Sequence, residues 1–289
     1  MEAFMLALYI TLGILGGIFL LFSVFYFVTV TPRFSKREKL SGFISYKYAH
    51  RGLHGDGVSE NSLTAFRLAV EAGYAIELDV RLTKDGEAVV FHDATVDRVT
   101  EKTGRVIDFT AEELCAMPLL GTEDCVPLFS DVLRLVAGRV PLLVELKEEP
   151  GHRGVAKKAL EVLEGYEGDY IIESFNPMTL GDVRRISPDV ITGILSTNYL
   201  KDKKYRKPVF FAAECFFTNL LCRPDFVSYN AEAHKNFAFR LFRGLFRVPS
   251  FAWTITSAEE EKDAYRHGFD AVIFEGYDAK NITKTEDKK

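Results

Sequence analysis

A chain of 289 residues that is 47% hydrophobic and 27% charged can bury a full core, either as one domain of about 250 residues or as two smaller ones. Its formal net charge of -5 argues against a nucleic-acid partner, which calls for a basic surface. Cys115, Cys125, Cys215 and Cys222 make no CxxC pair and no zinc spacing, so free buried thiols are the plainer reading, with disulfides left open.

From Ala3 through Pro32 no side chain is charged. A bilayer core of roughly 30 Å needs about 20 helical residues, so residues 1–32 read as a transmembrane anchor. A signal peptide is the competing reading, but it requires a basic start and a shorter apolar run, whereas Glu2 is the only charged side chain ahead of this one. Arg33, Lys36, Arg37 and Lys39 come next, a basic flank that belongs on the cytoplasmic side and would place the following domain there. Gly13 and Gly17 match GxxxG, which points to a homodimer through the anchor, with plain packing against lipid as the alternative. Residues 33–42 read as a basic linker.

A β/α alternation then starts and does not stop. Ser45 to His50 reads as a strand, and Leu63, Phe66 and Val70 mark a helix that Gly73 ends. Ala75 to Val80 is the second strand. The Thr83-Lys84-Asp85-Gly86 turn folds Ala88 to His92 back along it, because too few residues intervene for a parallel crossover. Counted from that turn, His92 falls opposite Leu78 and beside Glu77 and Asp79. Residues 94–127 read as an inserted flap, with a capping box at Thr110 and Glu113. A helix near Phe129 to Ala137 leads to the strand Pro141 to Lys147, and a helix over 152–165 to the strand Tyr170 to Phe175. Asn176 and Pro177 open the next helix. Strands follow near Val190 to Leu195, Phe226 to Tyr229, Ser250 to Ile255 and Ala271 to Phe274. Without the hairpin return this makes eight strands with helices between them, the pattern of an α/β TIM (β/α)8 barrel whose chemistry lies at the C-terminal strand ends. The domain then runs over residues 43–289.

Glu77 and Asp79 stand two apart inside AIELDV, so both carboxylates project from one face of the strand. Two like charges about 4 Å apart repel by roughly 4 kcal/mol at an effective dielectric near 20, about 3 pKa units. Either one carboxyl stays protonated or a cation sits between them, and hard oxygen ligands on a rigid strand suit Mg²⁺ or Ca²⁺. A solvated strand face is the bland alternative for the pair taken alone. Glu145 and Lys147 likewise share a face at a strand end, and buried charges there require partners.

His50-Arg51-Gly52, Glu60-Asn61, Glu77-Leu78-Asp79, Thr83-Lys84-Asp85-Gly86 and His92-Asp93 follow one another in that order. The ordered set resembles the glycerophosphodiester phosphodiesterase family, strongly in the first third of residues 46 to 275 and thinly after Lys147. The resemblance implies a metal-dependent hydrolase of lipid metabolism that converts glycerophosphodiesters to glycerol 3-phosphate and an alcohol, the glycerol 2-hydroxyl attacking first through a cyclic phosphate. It implies a divalent cation on Glu77, Asp79 and Glu145 with help from Glu60, Arg51 and Lys147 as a clamp on the phosphate, and Trp253 as an aromatic wall beside the substrate. His50 and His92 are placed for general base and general acid duty, in an order left open, since imidazole titrates near neutral pH. Each of these residues has a plainer reading. Arg51 could serve a structural ion pair, Glu60 a helix start and Trp253 the core, while His54, His152, His234 and His267 read as ordinary core or surface histidines. Two departures from the family pattern, WTIT at Trp253 and FEGYD in the last strand, leave Tyr229, Asn230, Glu275 and Tyr277 as pocket-lining residues instead. Lysophospholipid or phosphoinositide cleavage is the neighbouring chemistry. A non-catalytic membrane lipid sensor is the alternative that an intact set of acids and histidines counts against.

Two peripheral stretches carry charge and aromatics together. Leu200 to Lys207 is basic and precedes an apolar run, and Arg240, Arg243 and Arg247 recur beside Phe239, Phe242 and Phe246. An outer barrel helix with a charged face accounts for the second; contact with the membrane surface is the sharper reading.

Overall fold

The inward-facing residues of each strand set the architecture, because they read apolar at one end and polar at the other. Tyr48, Ala75, Leu143, Ile171, Phe226, Phe251 and Ala271 belong to one buried cluster. Two residues further along the same strands come His50, Glu77, Glu145, Glu173, Ser228, Trp253 and Ile273. With a side-chain period of two, both sets point inward, so the interior is sealed by hydrocarbon at one end and becomes polar toward the other.

The computed structural model describes residues 1–280; residues 281–289, the end of the expected domain, lie outside the described residues. In chain order the elements are α1 (Glu2–Val30), α2 (Arg37–Phe43), β1 (Lys47–Ala49), α3 (Leu63–Ala72), β2 (Ala75–Leu82), β3 (Ala88–Val90), α4 (Ala111–Cys115), α5 (Phe129–Val136) and β4 (Leu142–Leu146). There follow α6 (Val155–Leu163), β5 (Tyr170–Ser174), α7 (Pro177–Ile186), β6 (Thr192–Ser196), α8 (Pro208–Glu214), α9 (Asn219–Cys222), β7 (Phe226–Asn230), α10 (Phe237–Phe246), β8 (Ser250–Ile255), α11 (Ala258–Arg266) and β9 (Ala271–Phe274). The eight strands other than β3 are parallel, and β1 pairs with both β2 and β9, which closes them into the expected TIM-type barrel. β3 runs antiparallel to β2 with Val80 opposite Val90, and the Phe91 N–H donates to the Asp79 carbonyl at 2.9 Å, which carries His92 to the polar end as the turn chemistry predicts.

Local signals set several boundaries. The Ser62 side chain accepts from the Ala65 N–H at the start of α3, and Gly73, with φ 78°, ends it. The capping box of Thr110 and Glu113 is formed on α4, and Asn176 caps α7 with proline at its start. Val96, Val106, Leu114, Met117, Leu119 and Val126 give the 94–127 insertion a small core of its own with Val89 and Phe91.

The expected linker over residues 33–42 is instead structural. Leu40 and Phe43 lie three apart on one face of α2 and are buried against the apolar end of the barrel interior, which they plug. Basic composition suggested a linker, but the two apolar residues in it decide its place. α1 is long and apolar enough, over Phe4–Val30, to cross a membrane. Its last turn is docked. Phe25 and Tyr26 pack on Phe217, Phe27 on Phe246, and Asn219 Nδ2 donates to the Val30 carbonyl at 3.2 Å. Arg33 then pairs with the buried Asp225 and donates to the Pro188 and Val190 carbonyls. Those partners immediately precede β6 and β7, so α1 meets the barrel at the N-terminal ends of its strands.

Candidate active site

The polar end of the barrel gathers Glu77 and Asp79 from β2, Glu145 from β4 and Lys147 just beyond it. β2 and β4 are paired with Asp79 level with Glu145, and one oxygen from each of Glu77, Asp79 and Glu145 lies within 4.8 Å of the others. The Lys147 ammonium stands 2.7 Å from Glu145 Oε1 and 3.1 Å from Asp79 Oδ1. Both outcomes that like-charge repulsion allows are therefore present. Burial and the charges of Asp79 and Glu145 push the Glu77 carboxyl well above its usual range, and burial brings Glu145 up to about 7 despite Lys147. Burial works to raise Asp79 too, but Lys147, His92 and Arg51 together hold it well below the ordinary carboxylate range. Three hard oxygen donors within reach of one ion fit a divalent cation, which would take the place of the protons that burial holds on Glu77 and Glu145.

The two motif loops are bonded into one unit. Arg51 has φ 55° and Gly52 φ 80°, and a Cβ on Gly52 would sit 2.8 Å from that of Ala65, so the turn demands glycine. It aims the Arg51 N–H at Glu77 Oε2, 2.9 Å away. The Asn61 N–H donates to the Arg51 carbonyl at 2.9 Å, and its Nδ2 donates to Asp79 Oδ2 at 2.8 Å. Asn61 thus positions a cluster acid, a role visible beforehand only in its place in the motif.

Glu60 does not join the cluster. Its carboxylate accepts from Arg51 Nη1 at 2.8 Å and from Arg98 at 2.7 and 2.8 Å, and two guanidiniums leave it better placed to orient Arg51 than to hold a metal. Arg98 comes from the insertion, where no periodicity singled it out.

The two histidines are held alike. His92 Nδ1 lies 2.6 Å from Asp93 Oδ1, while Arg98 Nε donates to Asp93 Oδ2 at 2.6 Å. Arg81 Nε donates to the His92 carbonyl at 2.9 Å. Burial lowers the His92 pKa, with Asp79 opposing. His50 Nδ1 lies 2.5 Å from Glu275 Oε2, and hydrogen bonds from His50 and His54 hold the Glu275 carboxyl well below its usual range. Glu275 is therefore a histidine partner more than a pocket wall, and His54, expected to be an ordinary histidine, stands 3.5 Å from it. Of the other residues expected to line the pocket, Tyr229 is buried in the outer layer, stacked on Phe239 at 3.9 Å. Tyr277 donates to Glu261 at 2.7 Å, and Asn230 accepts from the Glu232 N–H. Trp253 packs edge-on against Phe175 with centroids 5.6 Å apart.

Buried carboxylates and two carboxylate-held imidazoles at the C-terminal strand ends of a closed barrel define a hydrolase site for an anionic ester. The sequence model of the Glycerophosphoryl diester phosphodiesterase family matches residues 50–278. The chain belongs to this family and is a phosphoric diester hydrolase. It is 32% identical over 239 residues to a glycerophosphodiester phosphodiesterase of Caldanaerobacter subterraneus, covering 78% of this chain and 91% of that one. Human glycerophosphodiester phosphodiesterase 1 is 30% identical over 222 residues, 68% of this chain and 63% of the relative. Among solved structures, the Thermotoga maritima glycerophosphodiester phosphodiesterase superposes with a TM-score of 0.60 at 26% identity, over 79% of this chain and 93% of its own. An Oleispira antarctica phosphodiesterase in complex with the product sn-glycerol-3-phosphate shares the fold, with a TM-score of 0.69 at 20% identity over 81% and 94% of the two chains.

Proposed function

We propose that the protein hydrolyses glycerophosphodiesters to glycerol 3-phosphate and an alcohol, using a divalent cation, Mg²⁺ or Ca²⁺, on Glu77, Asp79 and Glu145 and the imidazoles of His50 and His92 as acid and base. The observation that carries this reading is the matched support of the two rings, with a carboxylate against each Nδ1. An ionised carboxylate only accepts, so each Nδ1 bears the proton and each Nε2 is free to exchange one. One Nε2 takes the proton of the attacking hydroxyl as the new P–O bond forms. The other, protonated, gives its proton to the departing alkoxide as the old P–O bond breaks; with the glycerol 2-hydroxyl as attacker, water then opens the cyclic phosphate with the two imidazole roles exchanged, giving glycerol 3-phosphate. Arg51 and Lys147 offer positive charge to the phosphoryl oxygens, and Trp253 an apolar wall beside the alcohol. The bound cation supplies Lewis-acid polarisation of the phosphoryl group.

The same reading covers the anchor. The docked last turn of α1 and the Arg33 to Asp225 pair support retention of the helix in the mature protein, and the basic flank supports a cytoplasmic barrel. The docking lies at the strand ends opposite the mouth, which favours a water-soluble diester over a lysophospholipid lying in the bilayer.

Release of glycerol 3-phosphate from glycerophosphocholine tests the proposal. Turnover stops on chelation and returns with Mg²⁺ or Ca²⁺, and His50→Ala and His92→Ala each lower kcat by about 10²- to 10⁴-fold with unchanged circular dichroism. Near-normal turnover in either variant removes that residue from its role, and turnover indifferent to chelation removes the metal.

A further inference from the structure

Away from the mouth, α10 and α11 flank a concave site of about 770 Å³ lined by Lys235, Arg240, Arg243, Arg247 and Arg266, with Asp270 its acid. Asp270 is already engaged, since its Oδ2 accepts from the Ser250 N–H and hydroxyl. Arg266 has Asp263 at 3.3 Å. Among the described residues no carboxylate forms an ion pair with Lys235, Arg240, Arg243 or Arg247, while Arg243 donates to the His267 carbonyl at 2.8 Å. His234, Asp263 and His267 come close enough to suggest a metal site, but the surrounding guanidiniums repel a dication and attract an anion. The aromatic half of the expected membrane-contact helix is not available for lipid: Phe239, Phe242 and Phe246 are buried in the core. The arginines remain, and they converge.

Their location indicates the anion. Arg247, His267 and Asp270 lie on the segments that enter β8 and β9, so one end of the site reaches the N-terminal strand ends where α1 docks, while Lys235 and Arg240 lie toward the start of α10. Phe246 packs on Phe27 of α1 with ring centroids 5.1 Å apart, and Arg37, just past α1, donates to the Phe246 carbonyl. We propose that this pocket binds the phosphate of anionic phospholipid headgroups in the leaflet from which α1 emerges, and so fixes how the barrel sits on the membrane. The proposal rests on α1 being a retained anchor. Planar guanidinium groups suit a phosphodiester oxygen pair, and a cluster of basic residues beside a transmembrane helix is drawn to an anionic leaflet.

The test uses the full chain in nanodiscs, with hydrogen exchange of α10 and of residues 266–268 as the readout. Nanodiscs containing phosphatidylglycerol slow exchange there by about tenfold or more relative to phosphatidylcholine alone, and R240E/R247E abolishes the difference; R240Q/R247Q reduces it and serves if charge reversal disturbs folding. Equal exchange in the two lipids, or protection that survives both double variants, overturns the proposal. Inorganic phosphate added to phosphatidylcholine nanodiscs leaves exchange unchanged; protection equal to that of the anionic lipid assigns the site to free phosphate and overturns the membrane assignment. Glycerophosphocholine hydrolysis in the same samples is unaffected by the variants. Wild-type protein without that activity but with lipid-dependent protection sinks the enzymatic reading and leaves this one standing.

Discussion

Asp93 and Glu275 set the state of the two imidazoles. Asp93 accepts from His92 Nδ1 and is itself held by Arg98, so its carboxylate fixes both the tautomer and the ring plane. Asp93→Asn leaves the ring space filled but can present an N–H to Nδ1, which favours the wrong tautomer; kcat falls by about 10²-fold or more with KM little changed. An unaltered kcat in that variant means the pair is structural only. Glu173 is different in kind. It lies level with Glu145 across β4 and β5, is 1% exposed, and accepts from the Ser228 hydroxyl. Burial, helped by the Glu145 charge, pushes its pKa from 4.5 up to about 8. A carboxyl raised on folding holds its proton more tightly in the native state. Its contribution is therefore fully present below 4.5 and is lost, at about 1.4 kcal/mol per pH unit, as pH climbs toward about 8. Glu173→Gln keeps an acceptor for Ser228 and removes the titration. The melting temperature of the metal-free variant gains on wild type steadily between about pH 5 and about pH 8; a constant difference shows that Glu173 is ionised in the fold.

At the scale of elements, α2 shows how two side chains outweigh composition. Phe43 is 4% exposed, and the Tyr48 hydroxyl, deep in the barrel, donates to its carbonyl at 3.0 Å. Phe43→Ala opens the apolar floor and costs about 3 to 5 kcal/mol, measured by urea unfolding in detergent. A loss below about 1 kcal/mol means that α2 is peripheral to the core. The motif loops were more legible. The order of the motifs places Arg51-Gly52 ahead of the acids, and the alternation Glu77, Asp79 fixes two carboxylates on one face whatever surrounds the strand; the left-handed turn at Arg51 shows only in the structure. Arg98 could not be found that way, because its insertion has no period and its partners Glu60 and Asp93 lie on two other loops. For the same reason the motif suggests Glu60 as a ligand, while in the fold two arginines bond to it.

For the whole molecule, the mouth and the long apolar helix α1 occupy opposite ends of one barrel. Arg33 binds the segments that enter β6 and β7, while the acids and imidazoles sit where strands end. In nanodiscs the protein hydrolyses soluble glycerophosphocholine at the rate it shows in detergent, and lysophosphatidylcholine held in the bilayer turns over far more slowly. A reversal of that preference in a substrate panel refutes the soluble-substrate reading.

The sequence by itself determined the long apolar helix, the eight-fold alternation, the shared facing of Glu77 with Asp79 and the hairpin that delivers His92. Each of these follows from a local period or a turn, which depends on neighbouring residues alone. Only the tertiary structure decided that Arg98 claims Glu60, that Glu275 holds His50, that α2 plugs the floor and that the arginines of α10 meet the arginine of α11 beside the last turn of α1. Those are contacts between segments far apart in the chain, and a distant partner leaves no period in either segment.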